Sequence, residues 1–365
     1  MNISDCKLYF YTLPLKRRVV IGDRSMEERN GWLIRLCLEN GVIGWGEAAP
    51  LPGISSERPH TLGHELFTLK SMLVGREFSD RLLDFNAIKD AVPSVRCAFE
   101  MAFWNAGFLS GYASRFPYAE RDVAGLHLNG LLAGQENEIL DRAAGLAESG
   151  CETVKIKVGR RPISHEASLV RRIDDMMDGN VRWRLDANKA WTYQEAVEFM
   201  TNLDGLEIEY IEEPLEDTGR LVEWSNETGA PVALDESLMD IGPDELSDFE
   251  SIKAIVLKPM LLGGFSRCMS FMDAAGDIGV YPVISSMFES GIGIRTLAHF
   301  ATCSPAGHHP AGLDTYDLFE KDLLIKPLKT SGKYINMESV MSDYISIDHE
   351  FVREIENDDG YMPFT

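Results

Sequence analysis

The hydrophobic pattern divides the chain into two parts. Up to about residue 120, short alternating segments are mixed with helical ones. Trp32–Glu39 and Val42–Glu47 read as strands, and Asn40-Gly41 between them is a strong hairpin turn signal. Pro50 to Gly53 (PLPG) makes a rigid loop. Pro93–Leu109 (PSVRCAFEMAFWNAGFL) predicts a mostly buried helix with Ser94 as a cap. This part predicts an α+β domain over residues 1–120.

From about Gly125 a short apolar strand and a helix alternate repeatedly. Strands are predicted at 126–132, 153–158, 181–187, 206–213, 231–236, 251–258 and 281–286, with an eighth near Ala311–Leu313. Asn137–Ser149 reads as a helix closed by Gly150. A capping box at Thr192–Glu195 opens an apolar stripe through Ala196, Val197, Phe199, Met200 and Leu203. Strand–helix alternation of this regularity predicts an α/β fold, a (β/α)8-type barrel of the TIM kind over residues 121–315. A doubly wound open sheet is the alternative, but no GxGxxG follows the first strand. Residues 316–365 hold a strand-like piece at Lys333–Met337 and a turn-rich tail, expected to pack back on the first domain.

Composition narrows the partners. At 45% hydrophobic and 25% charged the 365 residues suit an ordinary globular chain, and the net charge of −23 argues against nucleic acid or an anionic membrane. It does not exclude a small anionic substrate, because charge inside a cleft can oppose the global balance. No apolar run approaches the roughly 20 residues of a membrane span, and the N-terminus lacks the apolar core of a signal peptide. The cysteines (Cys6, Cys37, Cys97, Cys151, Cys268, Cys303) are scattered without a CxxC, which fits packing roles in a reducing cytoplasm. His308 and His309 read as loop residues rather than ligands. Oligomeric state is not legible.

The candidate chemistry sits at the strand ends. In TVKIKVG (153–159), Lys155 and Lys157 are two residues apart and face the same side of a strand, an arrangement that is costly when buried without partners. Lys157, Asp186, Glu212, Asp235, Lys258 and Ser285 then recur at intervals of 23 to 29 residues, each about one βα unit. In a barrel, the C-terminal ends of the strands converge on one face, where active sites are built. Three carboxylates from neighbouring strands form a hard oxygen cage suited to Mg²⁺ rather than zinc, and the lysines flank it. Singly, each residue has a bland explanation: Asp235 a helix cap, Glu213-Pro214 a helix start, a strand lysine snorkelling to solvent. Caps, however, need not fall in consecutive βα units between matching lysines.

KIK (155–157), LDAN (185–188) with Trp191, IEEP (211–214), LDES (234–237), LKP (257–259) with LLGG (261–264), and ISS (284–286) with ES (289–290) resemble the enolase superfamily over essentially the whole chain. The paired lysines before the acids and the lysine after them are similar to its muconate-lactonising subgroup. Mandelate-racemase-like members carry a His at the late position instead. GWGEAAPLPG (44–53), PSVRCAFEMA (93–102), LNGLL (128–132) and GLDT (312–315) resemble the o-succinylbenzoate synthase family within that subgroup.

This resemblance implies a modified barrel with an N-terminal capping domain. It also implies a hydro-lyase that removes water from 2-succinyl-6-hydroxy-2,4-cyclohexadiene-1-carboxylate in menaquinone synthesis. Asp186, Glu212 and Asp235 would hold Mg²⁺, with Mn²⁺ a substitute. Lys157 would be the base and then the acid, Lys155 would tune it and orient the substrate carboxylate, and Lys258 would steady the anionic intermediate from the opposite face. Asn188 and Glu236 would stand behind the metal ligands. Ser285, Ser286 and the backbone at Gly312 would hold the second carboxylate, and Glu47 with the loop Gly22–Gly31 would close over the site. An N-acylamino acid or dipeptide racemase, or a muconate-type cycloisomerase, shares the same motifs. A metal-free Schiff-base barrel would keep full activity in EDTA, and a catalytically dead scaffold would show gaps in the constellation.

Overall fold

In the computed structural model the described residues are all but 23, 58, 80–85, 111–122, 250–251, 342–344 and 357–365. The expected boundary at 120/121 and the end of the tail lie outside them. The first sheet is antiparallel, in the order β13-β1-β2-β3. β1 (Ile3–Ile21) and β2 (Arg24–Leu38) form one long hairpin, β3 (Ile43–Ala48) follows the Asn40-Gly41 turn, and β13 is Val352–Ile355. Of the expected loop Gly22–Gly31, Arg24 to Gly31 is therefore strand, paired with β1.

The Pro93–Leu109 helix lies on this sheet at close range. A Cβ at Gly44 would fall 2.1 Å from the Ala102 carbonyl oxygen, and one at Gly46 would fall 1.9 Å from that of Ala98. Both positions must be glycine for the helix to approach so near. Val92, not Ser94, is the N-cap, because Pro93 takes the first helical position. The Ser94 amide donates instead to Glu57 Oε1 (2.7 Å).

The remaining strands curl into a barrel. A seven-stranded parallel sheet runs in the order β11-β10-β9-β8-β7-β6-β5. Its members are β5 (Gly130–Leu132), β6 (Thr153–Lys157), β7 (Arg182–Asp186), β8 (Ile208–Glu212), β9 (Val232–Leu234), β10 (Ile252–Leu257) and β11 (Tyr281–Ile284). Residues 311–312 close the ring through parallel bridges, Leu128 with Ala311 and Ser285 with Gly312. The strand expected over 126–132 splits into β4 (Gly125–His127) and β5. β4 pairs with β12 (Tyr334–Asn336), whereas the Asn129 amide donates to Ala311 at the barrel seam. Of the two C-terminal strands, β12 thus joins β4, and only β13 joins the first sheet.

Two buried ionic side chains tie the sheet to the barrel. The Arg29 guanidinium donates to the carbonyls of Ala49 and Pro50 on its own side and of Met287 and Phe288 after β11. Glu47 accepts from the Ser290 amide (2.9 Å) and hydroxyl (2.7 Å), from the Gly293 amide (3.0 Å) and from Tyr11. It therefore caps the Gly291–Thr302 helix, and its carboxylate is fully occupied there rather than in closing the site.

The same interface carries a pH dependence. Trp104 Nε1 can only donate, so His299 Nδ1, 3.0 Å away, accepts and the ring is neutral. Burial holds its pKa down to about 4, with Arg295 adding. The unfolded ring titrates near 6.5. Between pH 6.5 and 4 the unfolded state therefore binds a proton that the fold excludes, and stability falls as pH falls. At pH 5.5 the loss is about 1 kcal/mol relative to pH 7.5. His299→Gln is expected to flatten that share of the slope. Thermal melts of both proteins at the two pH values check it, and parallel slopes would rule it out.

Candidate active site

β-sheet register assembles the charged row. Lys157 pairs with Asp186 and Asp186 with Glu212 across β6, β7 and β8. Glu212 pairs with Ala233 of β9, so Asp235, two residues on, keeps the same face just past the strand end. Lys258 follows β10 immediately. The three carboxylates and Lys155 and Lys258 are buried, and Lys157 is half-buried.

The contacts are direct. Lys155 Nζ lies 2.8 Å from Asp186 Oδ2 and 2.7 Å from Glu212 Oε1. Lys157 Nζ lies 2.6 Å from Asp186 Oδ2 and 2.7 Å from Asn188 Oδ1. Lys258 Nζ donates to Asp235 Oδ2. The lysine pair is thus tolerable because each ammonium meets a carboxylate. Burial pulls Lys155 down, but Asp186, Glu212 and Asp235 outweigh it and hold the ammonium well above its ordinary pKa. At Lys157 the balance reverses. Burial lowers it, Lys155 and Lys258 add like-charge repulsion, and Asp186 does not compensate.

The carboxylates keep one oxygen each without a hydrogen bond: Asp186 Oδ1, Glu212 Oε2 and Asp235 Oδ1. Glu212 Oε2 is 2.7 Å from Lys155 Nζ but out of hydrogen-bond alignment, so it contributes charge contact only. Ligand oxygens of the three residues lie within 4.8 Å of one another. Buried acceptors without donors, all carboxylate and converging on one point, fit a hard divalent cation.

The other expected site residues divide. Asn188 touches Lys157 and reaches Glu236 Oε1 at 3.5 Å, so both stand beside the row. Ser285, Ser286 and Gly312 form a separate group at the barrel seam. Both hydroxyls donate to the Gly312 carbonyl (3.2 Å each), and Ser286 Oγ is 2.5 Å from Thr315 Oγ1.

Sequence reasoning missed two residues that shape this face. Arg29 gave no signal, because its partners lie more than 250 residues away in the barrel. The bland explanation of Glu213-Pro214 is a helix start, yet Glu213 bonds the end of β9. The signal was present in the doubled glutamate: consecutive residues cannot both face the barrel axis.

Comparison with known proteins agrees with this geometry. Residues 138–340 match the family described as enolase C-terminal domain-like, and residues 3–105 match the MenC N-terminal domain. The chain is 30% identical to o-succinylbenzoate synthase of Aliivibrio salmonicida over 88% of this chain and 93% of that one. It is 31% identical to the Proteus mirabilis enzyme of the same name, with the same coverage. Among solved structures, a substrate-liganded L-Ala-D/L-Glu epimerase from Bacillus subtilis superposes with a TM-score of 0.81 at 25% identity, covering 92% of this chain and 96% of that one. With its capped barrel, its carboxylate row and these matches over both parts of the sequence, the chain belongs to the enolase superfamily.

Proposed function

We propose that the chain is an o-succinylbenzoate synthase, a cytoplasmic, Mg²⁺-dependent hydro-lyase acting on a small dicarboxylate. The reaction removes water in syn fashion from 2-succinyl-6-hydroxy-2,4-cyclohexadiene-1-carboxylate. One observation carries the choice of substrate: the match of residues 3–105 to the MenC N-terminal domain. The carboxylate–lysine row is common ground with epimerases, whereas the capping sheet is where the match is specific.

Asp186, Glu212 and Asp235 are the residues that would hold Mg²⁺, or Mn²⁺ in its place. The cation would supply Lewis-acid stabilisation of the negative charge that develops on the substrate carboxylate when the α-proton leaves. Lys157 takes that proton, and its lowered pKa makes the neutral amine accessible. The resulting ammonium then returns the proton to the departing hydroxyl on the same face, and aromatisation drives the step forward. Lys155, held charged between Asp186 and Glu212, keeps Lys157 low and orients the carboxylate. Lys258, fixed on Asp235 at the other side of the row, offers positive charge to the anion without transferring a proton.

The deciding experiment is turnover of the cyclohexadiene substrate, followed by absorbance, with and without Mg²⁺. Turnover only with Mg²⁺ is expected, and none in its presence would overturn the assignment while leaving the fold intact. A racemase reading draws on Lys157 and Lys258 flanking the row from two sides. It requires both lysines to exchange an α-proton. Lys258→Ala incubated in ²H₂O with an N-acylamino acid or dipeptide separates the two, because only a racemase would lose exchange of one enantiomer.

A further inference from the structure

We infer that Glu213 is a positioning residue that sets the register of all three metal-binding carboxylates, an inference that rests on Asp186, Glu212 and Asp235 being the Mg²⁺ site. Glu213 directly follows Glu212 and leaves β8 with φ +44°, a left-handed conformation that a residue with a Cβ seldom adopts. Strain of that kind persists only where surrounding bonds enforce it.

Those bonds are present on both sides. Oε1 of Glu213 accepts from the Asp235 amide (2.9 Å) and from the Ser237 amide (2.9 Å). Its Oε2 accepts from the Ser237 hydroxyl (2.8 Å) and lies 3.8 Å from Lys189 Nζ. The main chain works in the same direction. The Glu213 amide donates to the Ala233 carbonyl (3.2 Å), and its own carbonyl accepts from the Lys189 amide (2.7 Å). Lys189 and Asn188 form the left-handed turn that follows Asp186, with φ +59° and +47°.

One buried residue therefore touches the turn after Asp186, is the chain neighbour of Glu212, and clamps the main chain at Asp235. Asp235 itself has left strand geometry (φ −128°, ψ −91°), so no ladder partner accepts from its amide. Without Glu213 that amide and the Ser237 amide would be buried donors with nothing to bind. Both Glu213 oxygens are already engaged, so it acts on the metal through the ligands and is not a ligand.

A merely structural role predicts lost stability with unchanged Mg²⁺ affinity. The positioning role predicts lost affinity in a protein that still folds. Calorimetric titration of the EDTA-treated full chain with MgCl₂ reads this without any turnover. Glu213→Met keeps the volume and removes every acceptor, and a 10- to 100-fold rise in Kd is expected, about the cost of losing a group that orients a metal ligand. Glu213→Gln should stay within about threefold of wild type, since its amide oxygen can still take both backbone amides.

Wild-type affinity in the folded Met variant would overturn the inference, as would a Gln variant as weak as Met, which would make charge the agent. Should the Met variant fail to fold, Ser237→Ala removes only the Oε2 bond. A Kd raised at least about threefold then supports the inference, and an unchanged Kd overturns it. Failure of the wild-type chain to bind Mg²⁺ would remove the metal site itself, and the inference with it.

Discussion

Lys157→Ala is expected to lower kcat for the dehydration by about 10⁴-fold while leaving Mg²⁺ affinity intact, because it removes the group that moves the proton and spares the ligands. Of the three lysines in the row, Lys157 has the most open side chain, 23% exposed against 9% for Lys155 and 11% for Lys258. A base must reach substrate, and this side chain is the most open of the three. Its environment also favours proton release, through burial and the like charges of Lys155 and Lys258. Single-residue acid–base catalysis supplies about 10²- to 10⁴-fold, and here one amine both takes and returns the proton, which places the loss at the upper end. Mg²⁺ binding should be retained or tightened, since a cation beside Asp186 is gone. Lys258→Ala should cost less, about 10²-fold, because it forfeits charge stabilisation only. Steady-state kinetics and calorimetry on the two variants check the ranking. Equal losses at both positions would favour two-sided proton transfer, and a loss below tenfold at Lys157 would remove it as the base.

What was legible in the sequence followed from strand periodicity. Asp186, Glu212 and Asp235 could be placed on one face because each ends a short apolar strand one βα unit from the last. Lys155 and Lys157 could be placed with them because two-residue spacing preserves the face. The illegible part depended on long-range partners. Gly22–Gly31 reads as a loop because Arg24, Glu27, Glu28 and Arg29 break any apolar alternation, yet β1 pairs with the part from Arg24 onward along the hairpin. The hydrogen bonds that give Glu47 and Arg29 their roles come from residues about 240 to 260 positions away. Ser94 carries a cap signal that Pro93 overrides by fixing the N-cap two residues earlier, at Val92. The doubled glutamate signals that Glu213 faces away from the barrel axis, but its partners at Asp235 and Ser237 are set by a left-handed backbone that no side-chain pattern announces. Residue type located the metal cage, and tertiary pairing decided what holds it in shape.

Glu212→Gln should abolish both Mg²⁺ binding and turnover with little change to the metal-free fold. Glu212 is the centre of the row, paired in register with Asp186 on β7 and with the strand that leads to Asp235 on β9. Its buried Oε2, without a hydrogen bond, is one of the three oxygens offered to the cation. Gln keeps the shape and leaves Oε1 free to accept from Lys155 Nζ, so the contact that anchors β6 to β8 survives. What it withdraws is one of three negative charges and, depending on amide orientation, the free oxygen itself. A hard cation held by two remaining carboxylates loses both charge and coordination. In the wild-type chain, Mg²⁺ at about 100 times its Kd should add about 2.7 kcal/mol of stability by mass action, a rise of several degrees in Tm. The variant should show no such rise, and the two proteins should melt together in EDTA. Turnover should fall by at least about 10⁴-fold, since the developing carboxylate charge would lose its principal stabilisation. Thermal melts with and without Mg²⁺, run beside the activity assay, read both halves. A variant still stabilised by Mg²⁺ to the wild-type extent would show that the cation binds elsewhere, and the carboxylate row would then need another purpose.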